Sequence, residues 1–330
     1  MKITRPDRQA DSRAPRPVTD TTRQAARLTD RDRWILRMLH AHRVLTTNQL
    51  AALAFPITDI ARHRLALLHR YRIVDRFRPI RTRGSAPSHW VLAPAGAAIL
   101  AAETGTSVRE LGYHHHRPLD IAHSLHLAHT IGVNDWFTTL TTTAADHDAT
   151  VLAWWPESHC RRLWGDLARP DSFARYTRRG HRLDFFLEYD LATTSLTRVA
   201  AKLLGYSELA RSTAVITPVL LWVPTIRRES AARQALRDTA ASLPDPGAVP
   251  VATAAAELLD PAAVRPSPAD RVWLPLDSTH TNRIPLHELA DAWPRRTPPP
   301  ETTDTDHAPA TLLGGQIILT PPPPLFAHRR

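Results

Sequence analysis

Between Thr29 and Gly105 the chain passes through a succession of patterns that constrains its fold more than any other feature. LTDRDRWILRMLHAHR offers Thr29 as an N-cap and sets Trp34, Ile35, Met38 and Leu39 at helical spacing. Val44 and Leu45 make a short extended link. Thr46 or Thr47 then caps TNQLAALAF, which Pro56 ends. Thr58 or Asp59 starts a third helix, TDIARHRLALLHRYR. Its Ile60, Leu65 and Leu68 are expected to face inward, while Arg62, His63, Arg64, His69 and Arg70 stay polar. IVDRFRPI and HWVLAP read as strands around the turn RTRGSAPS, and AGAAILAAETG as a closing helix that Gly105 stops.

Three helices, a basic hairpin and a fourth helix give the order of a winged helix-turn-helix over residues 28–105. The charge supports a polyanionic partner. The net charge is +10, yet residues 1–110 hold 20 Lys and Arg against 9 Asp and Glu, and the remainder holds 22 against 23. The excess lies entirely in the N-terminal third, which suits double-stranded DNA. The third helix is expected to enter the major groove with Arg62, His63, Arg64 and Arg70, and the wing to reach the backbone or minor groove with Arg81 and Arg83. The other reading of this order is a protein-protein module, which usually lacks such arginines.

Residues 1–27 are polar and proline-punctuated, and are expected to form a disordered basic arm. No apolar run reaches the length of about 18 residues needed to span a bilayer. The N-terminus lacks a signal-peptide core, and the one cysteine, Cys160, excludes an internal disulfide framework and a zinc ribbon. A soluble, cytoplasmic protein is expected, without a membrane partner. His114, His115 and His116, then His123, His126 and His129, resemble metal tracts. Their spacing fits a helix stripe packed beside Leu125, Leu127, Ile131 and Val133, and the packed helix is the favoured reading.

A second domain is expected over 113–293. VLAWW is an apolar strand ending at Pro156–Glu157, and RRLWGDLA is expected to be irregular. SFARY follows Arg169-Pro170-Asp171, and Arg178 to Gly180 make a turn. HRLDFFLEYD is a strand with Asp184, Phe186, Glu188 and Asp190 on one face. SLTRVAAKLLGYSELA is a helix. TAVITPVLLWV is an apolar strand, in which Pro218 argues for a bulge or an edge. With the helix before them these elements read αβββαβ. Asp171, Glu188 and Asp190 fall on neighbouring strands, where carboxylates repel unless a cation neutralises them. Hard Mg²⁺ takes such oxygen ligands and can orient a water on a phosphodiester. Only two of the 42 basic residues are lysines, Lys2 and Lys202. Lys202 follows Glu188 by fourteen residues and is the candidate activator of phosphate or water, a role arginine fills poorly.

Pro170-Asp171 followed by Glu188-Tyr189-Asp190 resembles the PD-(D/E)xK nuclease superfamily, with its restriction-endonuclease-like αβββαβ order. Asp190 stands where that pattern has its lysine. The resemblance implies Lys202 as the substitute from the following helix, Asp171 and Glu188 as Mg²⁺ ligands, and Glu157 and Asp190 as supporting acids. The chain as a whole resembles the replication-relaxation family of actinobacterial plasmid and mobile-element proteins, over roughly residues 28–225. LTDRDRWILRMLHAHRVLTTNQL, HSLHLAHTIGVNDWF and RPDSFARY…FFLEYDLATTSLTRVAAKLLGY carry that resemblance. It implies a role in plasmid replication and relaxation of plasmid DNA, with a relaxase or replication protein as partner.

Beyond these pieces, RRESAARQALRDTAASL is an amphipathic helix, and DPGAVP and DPAAVRPSP mark loops. DRVWLPLDSTHTNRIPLHELADAW reads as a hairpin and a helix, and 294–330 as a Pro-rich disordered tail. No Gly-rich phosphate loop or Ser-His-Asp arrangement stands out. The expected class is therefore α+β or α/β, with a winged helix followed by a nuclease-like domain. Two activities remain open: Mg²⁺-dependent nicking of plasmid DNA, or a non-enzymatic DNA-binding regulator or replication-initiation factor with a degenerate nuclease fold.

Overall fold

The computed structural model describes residues 25–79, 84–114, 126–277 and 282–293. The chain is a mixed α+β protein that divides into two compact units, one through Asp135 and one from Trp136. Most of the expected basic arm, the tail from 294, Arg81 and Arg83 of the expected wing, and His115, His116 and His123 lie outside the described residues.

In the first unit, helix α1 (Asp30–His42) begins where its sequence asks. The Thr29 hydroxyl accepts from the Asp32 amide, and the Asp32 carboxylate accepts from the Thr29 amide at 2.7 Å, a reciprocal capping box. Strand β1 (Leu45–Thr46) leads into helix α2 (Thr47–Ala54), which Thr46 and Gln49 cap in the same way. Phe55 is extended because Pro56 follows it. Helix α3 (Thr58–Arg70) precedes strands β2 (Val74–Phe77) and β3 (His89–Leu92), and helix α4 (Pro94–Glu103) starts on its proline. The three strands form an antiparallel sheet in the order β1-β3-β2. Ile35, Leu39, Leu50, Leu65, Leu68 and Trp90 fill the core. Ile60 does not join them. It is 47% exposed on α3, one residue before the inward face that Ala61, Leu65 and Leu68 define.

The division into units falls inside helix α5 (Leu127–Thr143). Its first half is tied to the first unit by buried amides. Asn134 donates to the Val44 carbonyl at 2.7 Å, and Gln49 donates to the Ile131 carbonyl and to the Asp135 carboxylate. Each satisfies a group that would otherwise be buried without a partner.

The second unit holds a six-stranded mixed sheet: β4 (Ala149–Pro156), β5 (Ser172–Arg178), β6 (His181–Tyr189), β7 (Val219–Val223), β8 (Val251–Ala255) and β9 (Leu274–Pro275), in that spatial order. β4, β5 and β6 are antiparallel, β6, β7 and β8 parallel, and β9 returns antiparallel. Helices α6 (Glu157–Trp164), α7 (Leu196–Thr213) and α8 (Ile226–Ala240) cover one face, packing on Phe173, Phe186, Leu221 and Val251. On the other face Trp136 and Phe137 of α5 meet Phe185, Trp222, Trp273 and Trp154 with ring centroids 5.0–6.5 Å apart. Each such ring contributes about 1.5–3 kcal/mol by its burial.

Two expectations are corrected here. RRLWGDLA is not irregular. Its first half belongs to α6, because His159, Cys160 and Trp164 supply one buried stripe. Cys160 is therefore a buried helix residue. DPGAVP does mark a loop, and it leads into β8, whose five residues are all buried. Its VATAA is mostly alanine, so it shows neither alternation nor the run of large apolar side chains that marks a covered parallel strand. Pro218 makes neither a bulge nor an edge. It stands just before β7, a central strand, where it has no ladder bond to donate, and its carbonyl accepts from Phe186 at 2.8 Å.

Candidate functional site

The sequence of β6 alternates, and this sends Glu188 toward α7 on the same face as Phe186. Asp171 precedes β5 and is fixed to the end of β6 twice. Its amide donates to the Leu187 carbonyl at 3.1 Å, and its carboxylate accepts from the Tyr189 amide at 2.8 Å. The two acids are thus brought side by side by strand pairing. Ser195 caps α7, and Gly205 lets that helix approach closely. A Cβ there would stand 2.4 Å from the Leu167 carbonyl oxygen.

Lys202 and Tyr206 are one turn apart on α7 and face Glu188 together. The Lys202 ammonium donates to Glu188 Oε2 and lies 3.7 Å from Asp171 Oδ1. The Tyr206 hydroxyl donates to Glu188 Oε1. The Glu188 side chain is 6% exposed, and that of Lys202 is 41% exposed. Burial pushes the Glu188 carboxyl up to about 7; the Lys202 charge pulls against this and the Asp171 charge adds to it. Burial disfavours the Lys202 charge, but Glu188 and Asp171 outweigh it and hold the ammonium firmly protonated. Burial and the Glu188 charge likewise keep the Tyr206 phenol a donor.

Three of the residues singled out in the sequence, Asp171, Glu188 and Lys202, therefore stand together. Glu157 opens α6, is exposed, and is near enough for its charge to act on Lys202. Asp190 does not join them. It lies beyond the end of β6, accepts from Arg228 Nε at 2.7 Å and from the Ala192 amide at 3.0 Å, and so anchors the loop into α7. Tyr206 carries no signal in the sequence, because it occupies an apolar position of the helix. Only its spacing of four from Lys202 would have drawn attention.

Among the described residues no group of three His, Cys, Asp or Glu side chains could hold a metal ion. The donor set is instead two carboxylates with a cation against them. That set fits Mg²⁺, which binds through one or two carboxylates and fills its remaining positions with water and substrate phosphate. It would not suit a cation that needs a full protein cage.

On α3 the expected DNA contacts separate. Arg62 is exposed, pairing with Asp59 at 2.8 Å, and His63 is exposed with Nδ1 at 2.8 Å from the Asp59 carbonyl oxygen. Arg70 is exposed as well. Arg64 turns inward and holds the buried Asp32 with two nitrogens, Nε at 2.7 Å. Its guanidinium is thus committed to a contact with α1. Two arginines that the reading of the hairpin passed over stand exposed, Arg76 over the Trp90 ring at 5.7 Å and Arg78, which donates to Ser88 Oγ at 2.9 Å. The alternation around buried Phe77 marks both as outward.

No helix among the described residues is long and apolar enough to cross a membrane. No curated protein and no solved structure matches the chain. The family model described as replication-relaxation does match, over residues 36–220, which runs from within α1 through the first unit's sheet to the segments that carry Asp171, Glu188 and Lys202. With more than half of its length under that model, the chain belongs to the replication-relaxation family.

Proposed function

We propose that the chain binds double-stranded DNA through a winged helix in its first unit and cuts a phosphodiester bond in a PD-(D/E)xK-like second unit. Its family suggests that this serves replication or relaxation of a plasmid or mobile element. One observation carries the catalytic half: Asp171, Glu188 and Lys202, far apart in sequence, converge at one end of the parallel part of the sheet. Asp171 and Glu188 would hold Mg²⁺, which supplies charge neutralisation and a more acidic water when bound. Lys202 is the mobile partner. Its long side chain is partly exposed and can transfer its proton-donating contacts from the two carboxylates to a phosphate oxygen, where negative charge develops. Glu157 borders the site as a supporting acid.

Supercoiled plasmid incubated with the full chain tests this reading. Nicked circles should accumulate in Mg²⁺ or Mn²⁺ and none in EDTA. Binding without nicking in either metal would instead support a non-enzymatic DNA-binding factor with a degenerate nuclease fold.

The DNA-binding half makes a separate prediction. Arg62→Ala with Arg70→Ala should weaken duplex binding about tenfold, and the slope of log affinity against log salt should fall by about two. Arg64→Ala should behave differently. It strips buried Asp32 of its partner and should lower stability by about 2 kcal/mol, discounted because the Arg64 side chain is 26% exposed. Fluorescence anisotropy at several salt concentrations and urea unfolding separate the two outcomes. Unchanged binding by the double variant would contradict the groove assignment.

A further inference from the structure

We infer that Tyr206 is a positioning residue of this cluster, fixing the Glu188 carboxylate so that its second oxygen faces Lys202 and the cation site. The inference rests on the active-site reading above and adds to it a residue outside the carboxylate–lysine set.

The geometry is specific. Glu188 offers two oxygens, and each takes a donor from α7, Oε1 from Tyr206 and Oε2 from Lys202. The two donors differ in mobility. Lys202 has four rotatable methylenes and is partly exposed. Tyr206 is 4% exposed, and its ring stacks on Phe186 with centroids 5.2 Å apart and planes 29° from parallel. Tyr206 has two side-chain torsions, and both are locked by that packing. When Lys202 leaves for a phosphate, the Tyr206 contact remains and keeps the carboxylate from rotating. Cys160, Ala200 and Leu203 belong to the same buried cluster as the Tyr206 ring. A metal ligand needs such an outer partner to fix its orientation, and loss of the partner typically costs 10–100-fold in affinity.

Tyr206→Phe keeps the ring and its stacking and removes only the donor. Titration calorimetry with Mn²⁺ should show binding about tenfold weaker than wild type. Single-turnover cleavage should slow at a fixed Mn²⁺ concentration while duplex affinity stays near wild type, and the hydrogen bond lost from a buried carboxylate should lower the melting temperature by only a few degrees. The Glu188→Gln background provides the second variant. There the carboxylate is gone, and adding Tyr206→Phe should weaken Mn²⁺ binding no further. Wild-type binding that Tyr206→Phe leaves unchanged overturns the inference alone, as does an equal loss in both backgrounds, which would mark general loosening of the fold. A wild-type chain that binds no Mn²⁺ overturns the active-site reading and this inference with it.

Discussion

Asp171→Asn should sharply weaken Mn²⁺ binding at the cluster and slow plasmid nicking about a thousandfold, with duplex binding intact. The substitution keeps the shape of the side chain and its capacity to accept from the Tyr189 amide, so the strand ends stay paired. What it removes is one of the two negative charges. A bound divalent cation is worth several kcal/mol of charge stabilisation in a hydrolytic transition state. At about 1.4 kcal/mol per tenfold, the loss comes to roughly three orders of magnitude. Nicking by Asp171→Asn at the wild-type rate would remove Asp171 from the chemistry.

Lys202→Gln should lose cleavage to a similar degree but bind Mn²⁺ about tenfold more tightly than wild type. The opposite sign for the metal follows from where the ammonium sits. It lies against both carboxylates and already neutralises them. A pair at 4 Å interacts by about 4 kcal/mol at an effective dielectric of 20. With 41% of the Lys202 side chain exposed, solvent screening reduces this to about 1–2 kcal/mol, or about tenfold in affinity. Glutamine leaves two unneutralised acids for the cation and no charge for the phosphate. Calorimetry and single-turnover cleavage of the same preparation measure both. Weaker metal binding by Lys202→Gln would show that the lysine organises the carboxylates rather than competing with a cation for them.

Much of this was legible in the residues. Thr29 and Thr46 announced their helices because capping is a local, three-residue interaction that needs no tertiary context. Alternation in HRLDFFLEY gave the strand and put Glu188 on one face with Phe186. An isolated lysine among arginines pointed to Lys202, which the structure sets beside both acids.

The remainder depended on partners distant in sequence. Arg64 looked equivalent to Arg62, since helical period separates polar from apolar faces but does not say which polar side chain meets a neighbouring helix. The buried carboxylate of Asp32 decides that, and it lies 32 residues away. Asp190 shared the alternation of β6 on paper, yet Arg228 on α8 takes it. Ile60 looked like core on spacing, but α3 buries only the narrower stripe of Ala61, Leu65 and Leu68. β8 escaped notice because its VATAA is mostly alanine, a residue depleted in strands, whereas β7, equally covered, is marked by its large apolar side chains.

The account rests on one cation shared by Asp171 and Glu188. Anomalous diffraction from crystals soaked in Mn²⁺ tests it most directly. The prediction is a single strong peak within bonding distance of both carboxylates, with the Lys202 ammonium moved off them. A peak elsewhere, or none at a concentration that supports nicking, would contradict it.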